Sequence, residues 1–228
     1  MYIGMDIYYL ILIIPSLLIS MWAQLNVQKT FSKYSKIDNK KNYTGGDIAR
    51  RILDINNLLN INVSITKGKL TDNYNPQKKE INLSGDVYNS TSLAAIGVAA
   101  HEVGHAIQYK EEYIPIKVRK TILPVATIGS KTGPILLILG IFMSYSLLIN
   151  IGIVLFALSV LFYIITLPIE FDASKRAIKA LNEYGLVSDY EIKPIKQVLS
   201  AAALTYVASA LASVVSLVRL ILISRNRR

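Results

Sequence analysis

Cysteine is missing altogether from the 228 residues, and histidine occurs only twice. The first absence excludes disulfides, a thiolate nucleophile, cysteine-liganded zinc, iron–sulfur clusters and a lipidated cysteine anchor. Any metal must therefore be held by His, Asp or Glu. Charge is also sparse: 18% of residues are Asp, Glu, Lys or Arg, against about 25% in an average soluble domain, while 52% are hydrophobic. That composition excludes a disordered chain, and the length excludes a multidomain enzyme at roughly 100–200 residues per domain. What charge there is leans positive, with 25 Lys and Arg against 15 Asp and Glu. Such a surplus suits nucleic acid or the cytoplasmic side of a membrane, and alone it does not choose between them.

The apolar residues are gathered into long runs. Residues 3–23 carry a single charge, Asp6, and about 20 apolar residues at 1.5 Å each cross a hydrocarbon core of roughly 30 Å. No Lys or Arg precedes this run and Met21-Trp22-Ala23-Gln24 is a poor cleavage site, so residues 1–24 read as an uncleaved anchor. Lys29, Lys33, Lys36, Lys40 and Lys41 follow it, which places the next segment in the cytoplasm. Residues 121–168 are interrupted only by Lys131. As one helix they would be near 70 Å long, more than twice the core, so a hairpin of two spans is expected at 122–143 and 148–167, turning near Ser144-Tyr145-Ser146. Basic residues flank both feet: Lys117, Arg119 and Lys120 before, Lys175, Arg176 and Lys179 after. Both feet are therefore expected in the cytoplasm. Lys131, at membrane depth, reads as a snorkelling side chain or as part of a polar cavity. Residues 201–223 are Ala- and Ser-rich, contain Arg219, and precede the basic tail of the 198–228 segment. They read equally as a fourth span or as a re-entrant or amphipathic helix.

Between anchor and hairpin, residues 25–120 have the pattern of a small α+β domain. Thr44 is a good N-cap, and Ile48, Ile52 and Ile55 follow at helical spacing. Residues 63–66 and 80–84 alternate in the period of a strand, with Gly68, Asn73, Asn75 and Pro76 between them, and read as a short antiparallel pair. Ser90-Thr91-Ser92 then cap an apolar run, residues 93–109, expected to be a buried helix. The fold class is thus a mainly α integral membrane protein, with three or four membrane segments and a small α+β cytoplasmic domain.

That buried helix contains His101-Glu102-Val103-Gly104-His105. The i, i+4 spacing puts both imidazoles on one face within reach of one ion, and Glu102 is next along the turn. Read as a zinc site, His101 and His105 are ligands and Glu102 is the general base toward water acidified by the metal. A catalytic zinc has three protein ligands and an open position, and no further histidine exists, so the third must be a carboxylate on the same membrane face. Glu170 meets that condition where the chain re-enters the cytoplasm, in the segment 169–197. Glu183 lies about 20 Å further on if helical. Glu111 and Glu112 sit at or beyond the end of the histidine helix, badly placed to fold back. Asp172 is the nearest rival; two residues on, about 200° around a helix, it faces elsewhere and would orient a ligand from outside the metal shell. Tyr74, Tyr88, Tyr109, Lys175 and Arg176 remain open as oxyanion-stabilising groups. The strand at 80–84 could either be plain core or pair with an extended substrate. A purely structural zinc is normally closed by four protein ligands, and an obvious fourth is missing here, which favours catalysis over a non-catalytic, zinc-stabilised membrane scaffold or chaperone. Nucleic acid is not expected as a partner: Phe31 and Tyr34 lie among lysines in residues 26–41, but juxtamembrane lysines have their own explanation.

Four stretches carry a resemblance: Leu70-Thr71-Asp72-Asn73-Tyr74-Asn75-Pro76, Ile81-Asn82-Leu83-Ser84, Ala99 to Gln108 around the histidine motif, and Pro168-Ile169-Glu170-Phe171-Asp172-Ala173-Ser174. They resemble the YugP-type neutral zinc metallopeptidases of bacterial membranes, over nearly the whole chain. The order of histidine motif, membrane hairpin and glutamate also looks like that of HtpX and the CAAX prenyl protease group, the gluzincins of membranes. The resemblance implies a zincin-like domain in a multi-pass protein of the bacterial plasma membrane. It implies Zn2+ at His101, His105 and Glu170, Glu102 as catalytic carboxylate, and hydrolysis of protein or peptide substrates at the cytoplasmic face. Two positions depart from the pattern. The wider group has aspartate four residues after the glutamate, where this chain has Ser174, so no carboxylate partner for the second histidine is carried over. A histidine is frequent where this chain has Asn73, so no metal or acid role transfers to that position.

Overall fold

A computed structural model describes residues 7–69 and 71–225. The first six residues of the anchor, Leu70, and the basic tail beyond Arg225 with Arg227 and Arg228 lie outside the described residues. The histidine-bearing run is a helix, α4 (Leu93–Lys110), and it starts where Ser92 Oγ accepts from the Ala95 amide at 3.3 Å. A second helix, α2 (Gly45–Ile55), opens on a reciprocal cap. Thr44 Oγ accepts from the Asp47 amide at 3.1 Å, and the Asp47 carboxylate accepts from the Thr44 amide at 2.9 Å. Each cap takes up N–H groups that a helix start otherwise leaves unpaired.

These helices belong to a unit made of residues 25–113 and 169–203. It also holds a three-stranded sheet, β1 (Asn62–Thr66), β2 (Asn73–Asn75) and β3 (Glu80–Ser84), in the order β1-β3-β2. Here one expectation is corrected. β1 and β3 are parallel, with Val63 opposite Ile81 and Ile65 opposite Leu83. The antiparallel partner of β3 is β2, with Tyr74 opposite Ile81. Alternation of side chains says which face a residue takes but nothing of strand direction, and parallel pairing needs a crossover of about a dozen residues or more, which residues 67–79 supply. Asn75 and Pro76 turn the chain between β2 and β3 instead, where Asn75 Oδ1 accepts from the Gln77 and Lys78 amides at 3.1 Å. A second correction follows. β3 has a strand on each side, so it is core and does not receive an extended substrate.

The interior of this unit is a cluster of buried apolar side chains. Ile48, Ile52 and Leu53 of α2 and Ile81 and Leu83 of β3 are fully buried, as are Val87 of the short α3 (Gly85–Tyr88) and Ile96 and Val103 of α4. The same cluster takes Ala177 and Leu181 from a long helix, α6 (Ser146–Glu183), and Ile195 and Leu199 from α7 (Asp189–Arg225).

The other unit comprises residues 1–24, 114–168 and 204–228, described from residue 7 to Arg225. Among the described residues, four helices are long and apolar enough to cross a membrane: the first, from Tyr9 through α1 (Ile14–Tyr34), then α5 (Ile114–Phe142), α6 and α7. α5 and α6 are joined through Met143, Ser144 and Tyr145, with Ser144 in a left-handed conformation (φ 53°). Glycines let the two backbones touch. A Cβ at Gly129 would fall 2.1 Å from the Leu155 carbonyl oxygen, and one at Gly152 would fall 2.7 Å from that of Gly133. The 201–223 run lies within the single helix α7, where Arg219 stacks over the Tyr9 ring at 5.3 Å.

Candidate metal centre

His101 and His105 stand one turn apart on α4, their rings edge-to-face with centroids 4.7 Å apart. Gly104 lies between them and has no side chain for a reason: a Cβ there would sit 2.5 Å from the Ala173 carbonyl oxygen of α6. This close approach brings Glu170 to the histidines. Its Oε2 is 3.3 Å from His101 Nε2 and 3.6 Å from His105 Nε2, and one ligand atom from each of the three residues lies within 4.8 Å of the others. Glu170 Oε2 is buried with no hydrogen-bond partner. A buried carboxylate oxygen left that way is costly, by more than the 1–3 kcal/mol typical of a neutral group, unless something positive faces it. Bonds of about 2.0–2.1 Å in a tetrahedron separate neighbouring ligand atoms by about 3.4 Å, close to both distances here. The orphaned oxygen and the spacing together fit zinc held by His101, His105 and Glu170.

The far side of each imidazole is also held. His101 Nδ1 meets Ser174 Oγ at 3.1 Å, and His105 Nδ1 meets Gln108 Oε1 at 3.0 Å. Ser174 therefore stands against the first histidine, and the second is served by a residue the sequence reading passed over. Gln108 was detectable as the one uncharged polar side chain between His105 and the end of an otherwise apolar helix, three residues on and so on the same face. Asp172 does not reach the three converging atoms. Its Oδ2 accepts from Gln108 Nε2 at 2.8 Å and from Arg176 Nε at 2.5 Å, while Arg176 Nη1 donates to Glu111 Oε2 at 2.5 Å. Arg176 is thus engaged with two carboxylates, and Glu111 points to it. Tyr74 packs edge-on against Tyr109 with centroids 5.5 Å apart, and burial, then the neighbouring Tyr109, raises its pKa. Tyr88 lies against Gly46, and Lys175 is exposed.

The electrostatics favour a cation. Glu102 is 8% exposed, and burial pushes its carboxyl pKa up. His101 and His105 oppose that rise, and Glu170 and Asp72 add to it. At His105, burial disfavours the charged ring, yet the Glu170 carboxylate facing it and the charge of Glu102 outweigh it and hold the pKa above the ordinary value. A buried imidazole whose pKa stands above the ordinary value despite burial marks a pocket with negative charge to spare.

Residues 9–225 match the family described as "Putative neutral zinc metallopeptidase". The chain is 44% identical, over 220 residues covering 96% of it and 98% of the relative, to a protein of Bacillus subtilis (strain 168) named "Putative membrane protease YugP". No solved structure matches.

Proposed function

Because the chain belongs to this family of neutral zinc metallopeptidases, we propose that it is a membrane-embedded zinc endopeptidase that hydrolyses peptide bonds of protein substrates at the cytoplasmic membrane face. The observation that carries the proposal is Glu170 Oε2, buried without a hydrogen bond at 3.3 and 3.6 Å from two imidazole nitrogens on the helix that also bears Glu102. Zinc bound there supplies a Lewis acid that acidifies water and polarises a carbonyl. His101 and His105 offer it neutral nitrogens, each braced from behind by Ser174 or Gln108. Glu102 takes the proton of the attacking water and returns it to the departing amine; a carboxyl whose pKa is raised by burial is the stronger base for that task. With β3 enclosed, an extended substrate has the outer edge of β2 available, the strand whose Tyr74 packs on Tyr109 of α4. Membrane attachment follows from four helices of spanning length. The cytoplasmic face follows from the lysines at 29, 33, 36, 40 and 41 and the basic feet of the hairpin. The order of histidine motif, hairpin and glutamate extends the mechanistic comparison to HtpX-like peptidases.

Glu102→Gln tests the mechanism. The variant should keep one zinc and its fold but lose cleavage of a casein-type substrate, since an amide cannot accept the water's proton. Equal cleavage by both proteins removes Glu102 from the mechanism. Zinc in both with cleavage by neither returns the protein to the scaffold class.

A further inference from the structure

Gln108 is wholly buried near the end of α4. A glutamine amide has one donating and one accepting end, and only its neighbours say which is which. Here they leave no choice. Its nitrogen faces two acceptors, the Ile169 carbonyl oxygen and Asp172 Oδ2, both at 2.8 Å. The oxygen is therefore the atom turned to His105 Nδ1 at 3.0 Å. An oxygen in that place accepts, so Nδ1 carries the hydrogen and the neutral ring has its lone pair on Nε2, the atom 3.6 Å from Glu170 Oε2. His101 has no such constraint, because the Ser174 hydroxyl can give or accept. The two bonds from the amide nitrogen also grip α6 on either side of Glu170, at residues 169 and 172. Asp172 is held in turn by Arg176, whose other arm reaches Glu111, the residue that caps α4.

We infer that Gln108 is a positioning residue that fixes His105 with Nε2 open to the metal and clips α6 in the register that presents Glu170 Oε2. This rests on the zinc reading above. Asp172 then acts on the metal centre at one remove, by orienting the amide rather than a ligand.

Zinc affinity by chelator competition, and the visible absorption of the Co2+-loaded protein, separate positioning from packing in full-length protein purified in detergent. Gln108→Leu keeps the volume and removes both ends of the amide. It should weaken zinc binding by about 10–100-fold, the range typical of groups that orient metal ligands, and shift the Co2+ bands. Asp172→Asn keeps an oxygen for Gln108 and should bind zinc within a few-fold of wild type, whereas Asp172→Ala should fall into the range of Gln108→Leu. This graded pair decides the matter even if Gln108→Leu does not fold. Wild-type affinity and unshifted Co2+ bands in the folded Gln108→Leu and Asp172→Ala proteins overturn the inference and leave the zinc centre standing. A wild-type protein that takes up neither metal overturns the zinc centre itself, and the inference with it.

Discussion

One oxygen atom decides most about the centre. Glu170 Oε2 faces both imidazoles with no hydrogen bond of its own, and without it zinc would lose one of its protein ligands. Glu170→Ala is expected to lower zinc affinity by more than the 10–100-fold typical of an outer residue. Zinc retained at wild-type affinity in that variant would dismiss Glu170 as a ligand. His105→Ala should likewise lose most of its zinc by metal analysis, because two imidazoles supply half of a four-coordinate shell. The candidate ligand set was easy to propose from the sequence because scarcity did the sorting: with two histidines and no cysteine, few combinations remain. Gln108 was only half legible: its place three residues after His105 marks the same face, but nothing in the helix itself says what else the amide meets. Its bonds depend on residues 61 and 64 positions away, Ile169 and Asp172.

The next scale up is the contact of α4 with α6, and Gly104 controls it. Alanine would improve the intrinsic helix propensity by about 1 kcal/mol. Its Cβ, however, would meet the Ala173 backbone oxygen at 2.5 Å and the Ala173 carbonyl carbon at 3.1 Å, neither of which can swing aside. Gly104→Ala is expected to cost a net 1–3 kcal/mol or so in denaturant unfolding, in the range of overpacked cores, and to weaken zinc binding by forcing the helices apart. Gly97→Ala is the control: its Cβ would meet Ile195 Cγ2 at 3.1 Å, the end of a side chain that can turn, so the effect should be milder. Equal stability of the two variants would mean that the α4–α6 approach is not what Gly104 provides. Among the elements, α2 and α4 were readable because a capping side chain and an apolar period mark a helix start in one dimension. Strand direction was not readable. Val63 and Ile81 alternate alike whether their strands run together or opposed, and only the placement of β2 at the far edge of β3 distinguishes the two.

At the scale of the whole chain, the described residues hold four helices of spanning length, and if all four cross, Arg225 lies on the side where the first begins. The absence of native cysteine makes this testable with single introduced thiols. Cysteines replacing Lys117 and Lys179 should resist an impermeant external reagent, and one replacing Tyr145 at the hairpin turn should be labelled. One replacing the exposed Arg225 reports on α7: labelling from outside means that it crosses, protection that it re-enters. Labelling of only one hairpin foot would put His101 and Glu170 on opposite faces and end the shared metal site. The order of parts along the chain also sets a clock. Ser174, Asp172 and the Ile169 carbonyl, which brace the two histidines directly or through Gln108, come 73, 64 and 61 residues after the side chains they meet. A ribosome that has reached Tyr145 has made both histidines and Glu102 but neither Glu170 nor any of those partners. At about 5–20 residues per second, the nascent chain spends seconds without a complete metal centre, and gains one only after the return helix of the hairpin has been made.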